Sequence, residues 1–303
     1  MSESVLSKFS DELATAAEQA GRSVVTVRAR MRVPSSGIVW RKGVIVSANH
    51  TVRRESEISV LLPNGKRAEA KLAGRDSGTD LAILTVEGLD APIAQVGDTA
   101  TLKLANFVLA LGRTRSGNLV ASAGIIGGLS GEQRSWRGGR LDQGVRLDLA
   151  LYAGFSGGPL VGLDGKILGV NTSGLGRGRA MTVPVATVER SVNELLEKGY
   201  IARPYLGIAM QPVSIPENVR GKIKSAPQGG LMVMHVEAGG PAEKAGIVLG
   251  DVIVELKGKP VLETEGIRDV VSVAKVGEKV SIAVLRSGTP LEVTVVLAER
   301  PVK

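Results

Sequence analysis

Apolar residues recur at helical spacing in only a few places along this chain, and elsewhere at strand spacing. Val5, Leu6, Phe9, Leu13 and Ala17 lie three and four apart, which predicts one amphipathic helix within residues 1–20. Between residues 21 and 100 the pattern changes to short apolar runs. Val24–Arg30, Ile38–Trp40, Gly43–Val46, Ile58–Leu62, Lys66–Leu72 and Leu81–Val86 each predict a strand. Pro63-Asn64-Gly65-Lys66 supplies a hairpin turn between two of them. A second run of strands follows over residues 101–185: Phe107–Gly112, Leu119–Gly127, Val145–Leu151, Leu160–Gly162, Lys166–Thr172 and Met181–Pro184. Val188, Val192, Leu195 and Leu196 then return to helical spacing, ending near Gly199. After Arg203-Pro204 a third strand-rich module begins. It has a predicted helix over Glu265–Ala274 and a closing hairpin, Val280–Leu285 with Leu291–Leu297. Three segments result: 1–20 helical, 21–203 mainly β, and 204–303 mixed.

Composition narrows the chemistry. The length of 303 residues allows several cores, and 43% hydrophobic with 3% aromatic residues predicts cores of Val, Ile, Leu and Ala. With no cysteine there are no disulfides, thiolate metal sites or thiol nucleophiles. Two histidines, His50 and His235, exclude a three-histidine zinc site and leave two candidates for an imidazole base. His235 falls inside a predicted strand and reads as structural. No cofactor and no bound metal are expected.

The net charge of +8 sits mostly in residues 1–204, where 26 Lys and Arg face 19 Asp and Glu. There is no basic block with interleaved aromatics, so nucleic acid is not an expected partner. Gly174-Leu175-Gly176-Arg177-Gly178 lacks the Lys-Ser/Thr and the strand–loop–helix setting of a phosphate loop. Residues 130–140 read as a polar, arginine-rich loop around Trp136. Glu3, Lys8, Asp11, Glu12 and Glu18 interrupt the first twenty residues. The expectation is therefore a chain with no export signal and no membrane span, placed in the cytoplasm, with the periplasm as the alternative for a truncated start.

The candidate chemistry centres on Gly154-Phe155-Ser156-Gly157-Gly158-Pro159-Leu160. Glycines around a serine permit positive φ and close backbone approach, so the turn can present both Oγ and N–H groups to a bound carbonyl. His50 ends a predicted strand, 30 residues before Asp80, which stands at the mouth of another. Ser156 follows 76 residues later. The order His, Asp, Ser is one arrangement of the catalytic triad. Ser156 is then the nucleophile, His50 the general base and acid, and Asp80 the group that orients the imidazole. The N–H groups of Gly154 and Ser156 form the oxyanion hole.

Ser47-Ala48-Asn49-His50, Thr79-Asp80-Leu81-Ala82-Ile83-Leu84 and the serine turn together resemble the three signatures of the HtrA (DegP-like) serine proteases. The resemblance runs from about residue 10 to the C-terminus. It implies a mainly β fold: a chymotrypsin-like double β-barrel, endopeptidase activity on unfolded or damaged proteins, and a homotrimer. Asn171-Thr172-Ser173 resembles the strand that pairs with substrate backbone, and Leu151 and Met181 are the expected specificity-pocket residues. Some positions depart from the pattern. Phe155 stands where asparagine is usual, Tyr152-Ala153 and Arg113-Thr114 each replace Asn-Pro, and the loop at 113–118 is short. A catalytically silent scaffold or chaperone is the alternative that these departures keep open.

The third module resembles a PDZ domain in the circularly permuted bacterial arrangement, carried by Tyr205-Leu206-Gly207-Ile208, Pro241–Ile247 and Leu249–Val261. Successive N–H groups at Leu206-Gly207 can cup a terminal carboxylate, and a strand edge beside them can accept a peptide. Tyr205, Leu206, Gly207, Ile208 and Met210, with Ile267 and Val271 from the helix, are the expected peptide-binding residues, and apolar protein C-termini the expected partners.

Overall fold

A computed structural model describes residues 4–31, 33–176, 179–220 and 228–301. Arg177 and Gly178 of the glycine-rich stretch lie outside the described residues. The chain divides into two units, Met1–Ile201 and Ala202–Lys303.

In the first unit the predicted helix forms as α1, Val5–Gly21, capped by Ser4, whose side chain accepts the Ser7 N–H. Its small residues Ala16 and Ala20 are buried against the barrels, while Val5 and Leu6 stay exposed. Six strands follow: β1 Val24–Arg28, β2 Ser35–Arg41, β3 Val44–Ala48, β4 Ile58–Leu61, β5 Arg67–Asp76 and β6 Leu81–Thr85. They close into a barrel in the order β1-β2-β3-β6-β5-β4.

The next eight strands are β7 Phe107–Arg113, β8 Leu119–Ser130, β9 Gln133–Arg134, β10 Arg140–Leu141, β11 Gly144–Asp148, β12 Pro159–Val161, β13 Ile167–Thr172 and β14 Met181–Pro184. All but β9 and β10 form a second closed barrel, β11-β14-β13-β12-β7-β8. β9 and β10 pair into a small hairpin within the expected loop at 130–140. Closure removes free edges and lets Val, Ile and Leu fill each interior. Val27, Val39, Ile45 and Leu84 fill the first barrel, and Val108, Ile126, Val145 and Leu160 the second. Between them lies a shared core with Ile38, Leu81, Leu111 and Val170, sealed by helix α2, Val185–Lys198, through Val188, Val192 and Leu195.

The second unit holds β15 Pro204–Tyr205, β16 Ile208–Ser214, β17 Gly229–Val236, β18 Val252–Leu256, β19 Lys259–Pro260, β20 Lys279–Arg286, β21 Thr289–Val296 and β22 Ala298–Glu299. Its main sheet runs β16-β17-β18-β20-β21, which leaves β16 at an edge. Its longest helix, Thr264–Val273, buries Ile267 and Val271 in that unit's core. His235 lies in β17 and is exposed.

Candidate active site

β3 and β6 pair with Ala48 opposite Leu81, so the residues that continue these strands, His50 and Asp80, meet at one end of the first barrel. The chain leaves β3 through a 3-10 turn, Asn49–Thr51. It enters β6 from a turn that Asp76 organises by accepting the N–H groups of Gly78 and Thr79 and the Thr79 hydroxyl. Asp80 itself has φ +57°, a conformation that aspartate tolerates better than most residues.

Asp80 is buried at 1% exposure. A buried carboxylate needs partners, and this one has three. The His50 N–H donates to Oδ1 at 2.9 Å, His50 Nδ1 lies 2.6 Å from Oδ2, and the Thr172 hydroxyl also donates to Oδ2. Thr172 Oγ1 in turn accepts the Gly174 N–H at 2.8 Å. A proton on Nδ1 facing the carboxylate leaves the Nε2 lone pair free to take a proton. Gly174 is pressed against this pair: a Cβ there would lie 2.6 Å from Asp80 Oδ2 and 2.8 Å from His50 Nδ1.

The serine turn is fixed from both barrels. Gly158 N–H donates to Phe155 O, and Gly157 N–H to Asn171 O. Ser36, on β2 of the first barrel, donates its hydroxyl to Gly154 O at 2.7 Å and its N–H to Ser156 O at 3.2 Å. The same Ser36 Oγ accepts the Arg113 N–H at 2.8 Å. Gly157, at φ +88°, has no room for a side chain: a Cβ would sit 2.2 Å from Ser36 O and 2.9 Å from Ala48 N. The turn therefore lies directly on the strand that leads to His50.

Between the two candidate oxyanion donors, the 154–155 peptide is held at both ends, its carbonyl by Ser36 and its N–H by Tyr152 O at 3.0 Å. The N–H groups of Gly154 and Ser156 have no acceptor among the described residues. Ser156 is 8% exposed. Its Oγ lies 3.2 Å from Ser173 Oγ and accepts the Ser173 N–H at 3.4 Å. No hydrogen bond joins Ser156 to His50, so proton transfer requires Oγ to exchange Ser173 for the imidazole. Such bonds commonly tighten only in the substrate complex.

Phe155 does not enter the crevice. Its side chain is 3% exposed, packs on Gly112 and meets the Tyr152 ring edge-on with centroids 5.7 Å apart. Arg113 spans three elements: its guanidinium donates to Gly21 O at the end of α1, Val24 O of β1 and Gly117 O.

The expected substrate strand divides by role. Asn171 is buried, donating to Pro159 O and accepting the Thr182 hydroxyl. Thr172 is buried with its hydroxyl on Asp80, and Ser173 is the first exposed residue past β13. Leu151 and Met181 are half-buried, and Met181 lines a cleft of about 420 Å³ beside this stretch. Ser36, Gly174 and the supporting role of Thr172 are not apparent from the sequence. Two serines after a proline, or a threonine at a strand end, carry no local signal of what they face.

In the second unit, the Leu206 and Gly207 N–H groups donate to no partner among the described residues, and Gly207 has φ +74°. Their carbonyls accept from Ala242 and Glu237, which turns the N–H groups outward. Ile208 and Met210 share a half-buried face of edge strand β16 that packs on the core containing Leu206, Ile267 and Val271. Tyr205 is half-buried in β15. Among the described residues, no group of three or more His, Cys, Asp or Glu is placed to hold a metal, and no helix is long and apolar enough to cross a membrane.

Residues 35–170 match the trypsin-like peptidase domain family, and residues 204–297 match the PDZ domain family. The chain is 35% identical over 280 residues to the serine protease Do-like HtrA of Lactobacillus helveticus, an alignment covering 86% of this chain and 68% of that protein. It is 31% identical over 272 residues to a probable periplasmic serine endoprotease, DegP-like, of Pseudomonas fulva, covering 88% of this chain and 56% of that one. Among solved structures, the serine endoprotease from Yersinia pestis is similar with a TM-score of 0.72 at 26% identity, over 95% of this chain and 98% of the other.

Proposed function

Because this chain belongs to the HtrA family of serine proteases, with a trypsin-like peptidase domain followed by a PDZ domain, we propose that it hydrolyses peptide bonds of unfolded or damaged proteins through an acyl-enzyme on Ser156. The observation that carries this reading is the bonded His50–Asp80–Thr172 cluster beside a serine whose turn offers two unpaired N–H groups.

Ser156 Oγ attacks the scissile carbonyl as His50 Nε2 takes its proton. The tetrahedral oxyanion is received by the Gly154 and Ser156 N–H groups. His50 then returns the proton to the leaving amine, and the ester formed on Ser156 is hydrolysed by water with His50 again as base. Asp80 holds the imidazole tautomer and balances the imidazolium. The burial of Phe155 supports activity over a silent scaffold, because the residue that departs most from the family pattern faces the barrel and not the crevice. Casein hydrolysis by the intact chain, with Ser156→Ala as control, tests the reading. Equal hydrolysis by the variant overturns it.

The edge strand β16 and the outward N–H groups at Leu206-Gly207 support capture of apolar C-termini by the PDZ domain. A homotrimer is supported by the resemblance and by the exposed Val5 and Leu6 of α1, which continue past the Phe9–Phe107 ring contact. Sedimentation at several concentrations checks it, and a monomer throughout refutes it. For the compartment the expectation is the cytoplasm, whereas the Pseudomonas fulva relative is called periplasmic. Fractionation of cells expressing the chain with a C-terminal tag decides between the two.

A further inference from the structure

The cleft of about 420 Å³ next to Met181 combines apolar walls, Leu129, Leu175 and Met181, with the donor side chains of Arg146, Arg179, Gln133 and Ser130, and no carboxylate lines it. Arg146, on β11, stands opposite both Gly128 and Met181 in the barrel register. Its guanidinium lies flat across Gly128: a Cβ there would be 2.8 Å from Nε and Nη2. Gln133 lies over Gly144 in the same way, its Nε2 within 2.4 Å of where a Cβ would sit. The Ser130 hydroxyl donates to Gln133 Oε1 at 3.0 Å, which directs that amide's donor group away from Ser130. Arg179 also lines the cleft. Neither Arg146 nor Arg179 forms an ion pair with any described acidic residue, in contrast to Arg140 and Arg190. Arg140 pairs with Glu132 and Asp142, and Arg190 with Asp142.

The cleft adjoins the catalytic crevice. Its wall includes Leu175 and Gly176, which continue from Ser173 and Gly174. Trp136, also in the wall, donates its indole N–H to Gly174 O at 3.3 Å. Met181 pairs with Thr172. A peptide lying along Thr172–Gly174 therefore passes the mouth of the cleft a few residues before its scissile bond. Two guanidiniums and an amide N–H group that have no acceptor among the described residues suit a carboxylate.

From this geometry we infer that the cleft is a specificity subsite for an acidic side chain, aspartate or glutamate, of the peptide being cut. The Arg146 and Arg179 guanidiniums and the Gln133 amide are its donors. This rests on the protease reading, which sets the path of the peptide.

The test uses C-terminally amidated peptides, so that the PDZ domain has no free carboxylate to hold. Each carries one glutamate moved through the second to fifth positions before the scissile bond, paired with its glutamine counterpart. At low salt, one position is expected to favour glutamate by about tenfold in kcat/KM. That ratio is expected to fall to about one in Arg146→Gln/Arg179→Gln and to survive in part in Arg146→Lys/Arg179→Lys. Because the readout is a ratio, a general loss of activity in the variants cancels. No preference at any position, or a preference that persists in the glutamine double variant, overturns the inference.

A second measurement is independent of turnover. Trp136 is 52% exposed in the cleft wall, whereas Trp40, the other tryptophan, is 3% exposed. In Ser156→Ala, the glutamate peptide is expected to change tryptophan fluorescence, the glutamine peptide not, and Trp136→Phe to abolish the change. If the protein cleaves nothing, yet this signal is present, the subsite stands and the protease reading falls. A response to inorganic phosphate but to neither peptide overturns the peptide assignment.

Discussion

Ser36 is the residue through which the first barrel holds the serine turn of the second, and its hydroxyl is the perturbation with the most informative consequence. Ser36 is fully buried; its Oγ donates to Gly154 O and accepts the Arg113 N–H. Ser36→Ala leaves a buried carbonyl and a buried N–H without partners. Each orphaned group costs about 1–3 kcal/mol, so a loss of roughly 2–6 kcal/mol in stability follows. The carbonyl belongs to the peptide between the two proposed oxyanion donors. Its release lets the Gly154 N–H swing away from the position of the oxyanion. Complete loss of one such donor costs about 10²–10³ in kcat, so a partial loss is expected to lower kcat by about 10–10², with KM changed less than about threefold.

The control is Ser47→Ala, which removes the hydroxyl donated to Ser36 O at 2.7 Å. It belongs to the same network but does not touch Gly154 O, so it is expected to cost stability with little change in kcat. Steady-state hydrolysis of a fluorogenic peptide, read beside thermal unfolding, separates the two effects. Full kcat in Ser36→Ala, or an equal fall in kcat in Ser47→Ala, refutes the positioning role.

Two other expectations follow from contacts in the same unit. Gly174→Ala places a methyl group against Asp80 Oδ2 and His50 Nδ1; kcat/KM is expected to fall by about 10² or more, and the imidazole NH resonance to move, whereas unchanged kinetics refute the close approach. Arg113→Ala strips the donor from three backbone carbonyls of α1, β1 and the 117 turn; a loss of about 3–5 kcal/mol is expected in denaturant unfolding, and a loss under 1 kcal/mol contradicts it.

In the second unit, burial pushes the Asp251 carboxyl up, but the Arg286 hydrogen bonds and charge and the Val248 N–H outweigh it and hold its pKa below the ordinary value. A carboxylate with a depressed folded pKa contributes stability that is present above its unfolded pKa, near 4, and is lost as pH falls through the folded value. The gap in melting temperature between the parent and Asp251→Asn is therefore expected to be widest at neutral pH and to close below about pH 4; a gap constant with pH refutes the linkage.

The approach of His50 to Asp80 could be anticipated from the sequence because the choices were few. Of two histidines only His50 ends a strand at a polar turn, and strand register then brings Asp80 to it. The two barrels were legible for a similar reason, since alternating apolar runs separated by Gly and Asp turns have few other ways to bury themselves. What stayed hidden is what depends on contacts between distant segments. Ser36 lies 118 residues from Gly154, and Thr172 lies 92 from Asp80. Nothing local distinguishes these hydroxyls from any others in strands. Phe155 showed its chemical departure from the family pattern, but its direction is set by Gly112 on a neighbouring strand. The Ser156–Ser173 contact is a choice of side-chain rotamer, which no spacing rule encodes.

The central claim, that Ser156 is a nucleophile activated by His50, is tested most directly by the rate of fluorophosphonate labelling, followed by mass spectrometry of the peptide containing residues 154–160. The expected result is one label per chain, on Ser156, absent from Ser156→Ala and slowed by about 10³ or more in His50→Ala. Labelling of His50→Ala at the parent rate, or no labelling of the parent at Ser156, contradicts the account.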